Sequence, residues 1–523
     1  MDMYTRAKNS FLKFSKFPYR DYQEDIIEFA HKSTKRFTVI EAPTGIGKTL
    51  CGMVLGRLFG SSIYCVHSKT LQTQVSDDFT GIPILWGRAN YPCALFEDMT
   101  ADACGGSAKT CETIDECEYH KAKERAATSN LAVLNYHYYL TEVNYVGRFS
   151  GRECLVVDEA DALESVLASF IGINLSHAAI REFGINAPDY KTTSSVHALD
   201  AWKSWALETR DSMLLRYNEL ERFVGKNEIK TTAQIEAIKK MNQISSGMSK
   251  LKKFHDYVDV SWLYEEKDNK YGKSMHFNPT WISPALANDC IWKHAKRFVL
   301  MSATFPYLPI LAKLLGIKQD EIAYRQYPSV FPAENRQVKY SIAGNLVYKE
   351  MKTEIPKVMT RVKEIINDTK HKGEKGLIHT VSYKLAEEIM KIKDKRLVSH
   401  LGDTDRAAVI EHFKSSDKPL ILVSPSMDRG ISLDDDLCRF IIWLKAPFLS
   451  LADKMVAARL YGSGHLGNMW YKSMMLLSIV QGCGRGVRSD TDYSTTYLLD
   501  EQIRKAMIDN PNMVPKWFRE AIW

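Results

Sequence analysis

A glycine-rich run, Ala42-Pro-Thr-Gly-Ile-Gly-Lys-Thr49, lies between two apolar stretches. With Ala42 in the first glycine position it has the pattern of a phosphate-binding loop, in which backbone N–H groups and the start of a helix meet phosphate oxygens. Thr44, Gly45 and Gly47 would line that cradle, Lys48 would reach the β- and γ-phosphates, and Thr49 would hold Mg²⁺. Farther along, Val156-Val-Asp-Glu-Ala-Asp161 ends an apolar run in carboxylates. There Asp158 can hold the magnesium ion, directly or through water, and Glu159 can orient or deprotonate the attacking water. A third run, Gln481-Gly-Cys-Gly-Arg-Gly-Val-Arg488, carries positive charge. Arg485 and Arg488 are three apart, so on a helix they share a face, and they can offset the charge that builds on a γ-phosphate. Each run has an ordinary explanation when taken alone. An acidic pair after a strand is often a helix cap, and two arginines on a helix usually face solvent. Together they describe the hydrolysis of ATP.

These residues need a scaffold. Apolar runs at 37–41, 61–66, 153–157 and 297–301 read as strands, and 50–59 reads as a helix. Functional residues at the ends of strands that alternate with helices indicate a parallel α/β sheet. A second set follows the proline-containing stretch 327–336, with strands at 376–380, 420–424 and 439–444 and a helix over 383–392. The arginines therefore belong to a different α/β domain from the phosphate loop, and hydrolysis would depend on closure of one domain on the other. Two insertions interrupt the first domain. One runs over 86–139. The other runs over 163–283, where Ile235, Ile238, Met241, Ile244, Met248, Leu251 and Phe254 recur at helical spacing. That stripe predicts a long helix packed on the 201–224 segment, and a hairpin turning near Asp268 follows it.

The chain has 523 residues, 45% hydrophobic and 25% charged, the balance of a globular protein with three or four domains at ~100–200 residues each. A net charge of +7 is compatible with a polyanionic partner and weak evidence by itself. No apolar run is long enough to span a bilayer, and residues 1–19 show no secretory pattern, so no membrane association and a cytoplasmic location are expected. The ten cysteines do not form a disulfide framework. Cys93, Cys104, Cys111 and Cys117 fall in one short stretch, while most of the others sit in apolar runs as buried thiols. Four thiolates suit a 4Fe–4S cluster; structural zinc also takes four cysteines, although these spacings lack paired C-x₂-C knuckles.

The motif order resembles that of superfamily 2 helicases over most of the chain. Arg20 and Gln23 resemble the upstream motif that contacts adenine, and 42–49 resembles motif I. Val66-His-Ser-Lys-Thr-Leu71 resembles motif Ia. Asp158-Glu-Ala-Asp161 is motif II, Ser302-Ala-Thr304 motif III, and Leu377-Ile-His-Thr-Val-Ser382 motif IV. Residues 424–434, with Gly430 and Asp434 on the nucleotide side, resemble motif V, and Gln481 opens motif VI. The cysteine insert before motif II and the insertion between motifs II and III are similar to the iron–sulfur branch, the XPD/DinG-like helicases.

The resemblance implies two RecA-like motor domains, with a 4Fe–4S insert and a helical arch in the first. The first motor domain is expected over 1–85, 140–162 and 284–328, the cluster domain over 86–139, the arch over 163–283, and the second motor domain over 329–523. ATP, Mg²⁺ and the cluster are the implied cofactors, and single-stranded and forked DNA the implied partner of a monomer in a bacterial or phage-infected cell. Polarity would be 5′→3′. The strand would be held by His67, Ser68, Lys69, Ser382 and Ser424, with Trp86, Arg88, Tyr136 and His137 beside the cluster insert. Asp161 departs from the branch, which spells motif II with histidine there, and the change bears on coupling to motif VI. An RNA helicase, or an ATP-driven translocase that does not separate strands, remains an alternative at this stage.

Overall fold

Phe37–Glu41 is buried along its whole length, as a strand covered on both faces must be. In the computed structural model it lies in a parallel sheet, one strand in from an edge. The structure describes all residues except 1, 97, 103–110, 112, 184–185, 226–230, 270–271, 403–404, 426–432, 434, 485, 488 and 490, and omits the side chains of 178, 179 and 269. Among the described residues this sheet has six strands, in the spatial order Leu131–Asn135, Ser62–Val66, Arg152–Asp158, Ala295–Ser302, Phe37–Glu41 and Ile322–Gln326. Successive residues point to opposite faces. Phe37, Val39, Ile63, Leu155 and Phe298 therefore join one apolar cluster, and Ile40, Tyr64, Val156, Val299 and Met301 another.

A second six-stranded parallel sheet has the order Val338–Gly344, Thr495–Asp500, Phe440–Trp443, Gly376–His379, Ile421–Ser424 and Leu397–Ser399, again with an apolar cluster on each face. The expected strands are present in both sheets, with ends shifted by a residue or two. The strand Leu131–Asn135 falls inside the stretch expected as the first insertion. It nevertheless pairs with Ser62–Val66 in the first sheet, because four of its five residues are buried against that sheet's core.

In the second insertion the helical stripe lies on Thr232–Tyr257, which packs along Val196–Val224. Thr231 and Gln234 close a reciprocal capping box at its start. The hairpin Trp262–Asn269 with Gly272–Pro279 carries a third strand, Ile173–Ser176, that was not foreseen. Trp202 and Phe254 meet Phe277 with ring centroids 4.8 and 4.9 Å apart, locking the helix pair onto this small sheet. No helix among the described residues is long and apolar enough to cross a membrane.

The helix Gly464–Cys483 links the halves of the molecule. At one end Trp281 Nε1 donates to Ser463 Oγ (2.8 Å), and Arg459 donates to the Thr280 carbonyl and to Glu164 Oε1, each at 2.6 Å. Trp470 packs there with Ile310 and Leu314. At its other end the same helix carries Gln481.

Candidate active site

Parallel α/β sheets bind ligands beyond the carboxyl ends of their strands. The phosphate loop leaves Phe37–Glu41 at that edge and enters the helix Lys48–Leu58. Gly45 and Gly47 have φ of 91° and 84°, a region that strains any side chain. A Cβ on Gly47 would also lie 2.5 Å from Gln23 Nε2, so that side chain would have to shift. The Gln23 amide donates to the Ile46 carbonyl (2.7 Å), and Arg20 Nη1 donates to the Gly45 carbonyl (3.3 Å). Lys48 Nζ rests on the carbonyls of Ala42 (2.8 Å) and Pro43 (3.4 Å), partners it can exchange for phosphate oxygens.

Asp158 ends the neighbouring strand Arg152–Asp158 and is buried. Its carboxylate accepts from Tyr64 (2.6 Å), from the Glu159 N–H (3.1 Å) and from Thr49 Oγ1 (3.4 Å). Burial pushes its carboxyl above the usual range, while Tyr64, Lys48, the Glu159 N–H and Thr49 pull the other way. An oxygen pair from Asp158 and Thr49 suits a hard divalent cation, which would supply the missing positive charge. Glu159 follows in the left-handed conformation, φ 55°, which turns the chain sharply beside the loop. Asp161 joins the first sheet to the helix Gly464–Cys483: Oδ1 accepts from Ser302 Oγ (2.7 Å) and Oδ2 from Gln481 Nε2 (2.8 Å). Pro43 and Thr44 share one cleft with Phe331, Gly484 and Val487. Arg485, Arg488, Gly430 and Asp434 lie outside the described residues.

Glu41, directly before the loop, is buried. It accepts a hydrogen bond from Tyr324 on Oε2, while its Oε1 has no partner among the described residues. Burial lifts its carboxyl from 4.5 to about 7, against the pull of Tyr324 and Gln326. The folded protein thus holds this proton more tightly than the unfolded chain does. The resulting stability is fully present below pH 4.5 and is lost as pH rises to about 7. Glu41→Gln is expected to stabilise the protein at pH 8 by about 3 kcal/mol and to change little at pH 4.5. Denaturant titrations at the two pH values check this, and an equal effect at both would contradict it.

The nucleic-acid candidates divide. Ser68 caps the helix Lys69–Asp78, accepting from the Leu71 N–H (3.2 Å), with His67 and Lys69 exposed beside it. His137 is exposed, and Trp86 and Arg88 are half-buried. Ser382 caps Tyr383–Met390. Tyr136 and Ser424 do not reach a surface. Tyr136 is buried with its hydroxyl on the Asp158 carbonyl, because it opens a helix at the carboxyl end of a sheet strand. Ser424 is buried where its carbonyl accepts from the Thr380 N–H (3.0 Å). Tyr64 was not foreseen as a site residue, since a tyrosine inside an apolar strand reads as core.

Cys93, Cys111 and Cys117 border one cavity of about 250 Å³, together with Arg88, His120, Lys123 and Arg148. Cys117 stands at the start of the helix Glu118–Thr128. Among the described residues no three histidine, cysteine or acidic side chains are close enough to hold a metal ion, and Cys104 lies outside those residues. Three cysteines on one cavity with basic neighbours fit the donor set of an anionic thiolate-held cluster, and such a cluster would need the fourth to complete it.

Residues 365–521 match the family described as Helicase C-terminal domain. ATP-dependent DNA helicase YoaA from Haemophilus influenzae is 20% identical, over 90% of this chain and 88% of that protein. Among solved structures, Xpd4 of S. tokodaii has a TM-score of 0.56 at 15% identity, covering 96% of this chain and 99% of that one. A structure titled XPD helicase has a TM-score of 0.57 at 15% identity, covering 97% and 99%. The likeness in fold therefore extends over both parallel sheets and the segments between them.

Proposed function

We propose that this chain is a superfamily 2 helicase of the XPD/DinG-like family that uses ATP to move 5′→3′ along single-stranded DNA and to part duplex DNA during replication, repair or recombination. Its fold is the XPD-like helicase fold with two parallel-sheet RecA-like domains. The observation that carries the proposal is the bridge from Ser302 through Asp161 to Gln481, which ties motif II to the first sheet and to the helix Gly464–Cys483. A change in the γ-phosphate at Asp158 and Glu159 is then felt across the domain interface.

In this reading Lys48 and the loop N–H groups grip the phosphates. Thr49 and Asp158 hold Mg²⁺, which neutralises phosphate charge when bound. Glu159 takes a proton from the attacking water, and Arg485 and Arg488 meet the γ-phosphate from the second domain, as Gly484 and Val487 on the shared cleft wall support. Arg20 braces the loop, and Gly430 and Asp434 serve the nucleotide side of motif V. His67, Ser68, Lys69, His137 and Ser382 contact the strand, with Trp86 and Arg88 beside the cluster. We read 86–130 as the cluster domain, with Cys93, Cys104, Cys111 and Cys117 as its ligands, and 163–283 as the arch. When bound, the cluster would act as a rigid cross-link for that domain.

Removing the Asp161 carboxylate deletes two charge-assisted hydrogen bonds, each worth about 1.5–3 kcal/mol. Asp161→Ala is expected to lower nucleic-acid-stimulated hydrolysis by about tenfold or more while leaving ATP binding nearly intact. Stimulation that survives unchanged would remove the bridge from the coupling. The proposal as a whole is tested by ATPase rates with single-stranded DNA and with RNA of the same sequence. Stimulation by DNA is expected; stimulation by RNA alone would make it an RNA helicase.

A further inference from the structure

The insertion 163–283 leaves the first domain just after motif II and returns to it just past Thr280. The nucleotide cleft is built without it, yet its return point is fastened to the second domain. Arg459 is at the centre of that attachment. It lies on the helix Lys454–Gly462 and is 7% exposed. A guanidinium buried to that degree needs acceptors inside the protein. Its Nε donates to the Thr280 carbonyl and its Nη2 to Glu164 Oε1, each at 2.6 Å. The rings of Trp281 and Trp470 lie against it, with centroids 5.2 and 5.3 Å from the guanidinium carbon.

These contacts belong to different parts of the molecule. Thr280 directly follows Gly272–Pro279, a strand of the insertion's small sheet. Glu164 stands in the first turn of the helix Leu163–Ile171, three residues after Asp161. Trp470 lies on Gly464–Cys483, the helix that carries Gln481. One side chain therefore joins the insertion, the helix behind motif II and the second domain. Two neutral hydrogen bonds brace the same seam, from Trp281 Nε1 to Ser463 Oγ and from the Tyr307 N–H to Ser473 Oγ, each 2.8 Å.

Breaking a buried ion pair leaves an uncompensated charge, a strongly unfavourable outcome. Rotation of the second domain about the nucleotide cleft is therefore favoured to turn about this seam and not to shear it. Thr280, held on the turning side, then takes the foot of the insertion with it. That foot is stiff, because Trp202, Phe254 and Phe277 lock the helix pair onto the small sheet. We propose that Arg459 is a positioning residue for strand separation, the pin through which rotation of the second domain turns the insertion 163–283. This rests on the reading of the chain as an ATP-driven motor that parts strands.

Hydrogen–deuterium exchange of the full chain, without nucleotide and with magnesium ATPγS, tests the proposal beside strand displacement. In the parent, nucleotide is expected to slow exchange at the phosphate loop and to change it in the hairpin 262–279. Arg459→Lys keeps a positive charge for Glu164 but lacks the planar fork that serves two acceptors at once. It is expected to keep the phosphate-loop response, to hold ATP turnover within about twofold, to lose the hairpin response, and to separate strands about tenfold less per ATP hydrolysed. Glu164→Gln retains the shape of the pair and removes its charge. It is expected to show the same split in weaker form, and it decides the case if the lysine variant does not fold. A residue that only stabilises the fold would lower turnover and both exchange responses together, and that result would overturn the proposal. So would a hairpin response that persists in both variants, or its absence from the parent. A parent that turns over ATP and parts no strand would remove strand separation from the motor reading, and the exchange responses would still decide whether Arg459 couples the second domain to the insertion.

Discussion

Lys48→Ala is expected to abolish ATP hydrolysis, lowering the rate by about three orders of magnitude, and to leave single-strand binding within about twofold. The ammonium is the one cation among the described residues on the phosphate loop itself, where it now rests on the Ala42 and Pro43 carbonyls. Removing it takes away charge that strengthens its hold as the γ-phosphate departs, so the loss falls on the transition state more than on binding. The strand-contacting candidates His67, Ser68, Lys69 and Ser382 stand on other elements and keep their geometry. Steady-state phosphate release and fluorescence anisotropy with a labelled oligonucleotide check both halves. Undiminished hydrolysis would overturn the nucleotide-site assignment.

Cys111→Ser is expected to lose the proposed cluster and strand separation while ATP binding survives. Serine has no thiol to ionise at neutral pH, and a cluster with three of its four ligands is labile. The cavity that Cys111 shares with Cys93 and Cys117 lies in the first insertion, away from Lys48, Thr49 and Asp158. The loss therefore falls on the insertion and spares the cleft. Iron, sulfide and zinc content of protein purified without oxygen is expected to show about four irons per parent chain and far fewer in the variant. One zinc and no iron in the parent would keep the motor and replace the cluster with a structural zinc site. Full unwinding by a cluster-free variant would remove the insertion from the mechanism.

The parts of the site that were legible in sequence are those where chemistry restricts residue type. Gly45 and Gly47 had to be small for backbone to meet phosphate, and their φ angles agree. Asp158 had to stand at a strand end, and it does. The stripe from Ile235 to Phe254 was legible because a buried helical face repeats at helical spacing. Other parts depended on tertiary context that no local pattern encodes. Tyr64 and Tyr136 are aromatic residues in apolar surroundings, and only the assembled sheet puts their hydroxyls on Asp158. Asp161 was visible as a change of spelling, but its double bridge exists only once Ser302 and Gln481 are brought together. Leu131–Asn135 was absorbed into the insertion because the polar helix Glu118–Thr128 runs almost directly into it. Gln23 was recognised by type, whereas its engagement beneath the loop became visible only in three dimensions.

The central claim, ATP-driven separation of DNA strands, is tested most directly by strand displacement on forked DNA with a single-stranded 5′ tail or 3′ tail. The account predicts ATP-dependent displacement from the 5′-tailed fork and none by Lys48→Ala. ATP turnover without displacement of any DNA strand would contradict it and leave a translocase that does not unwind.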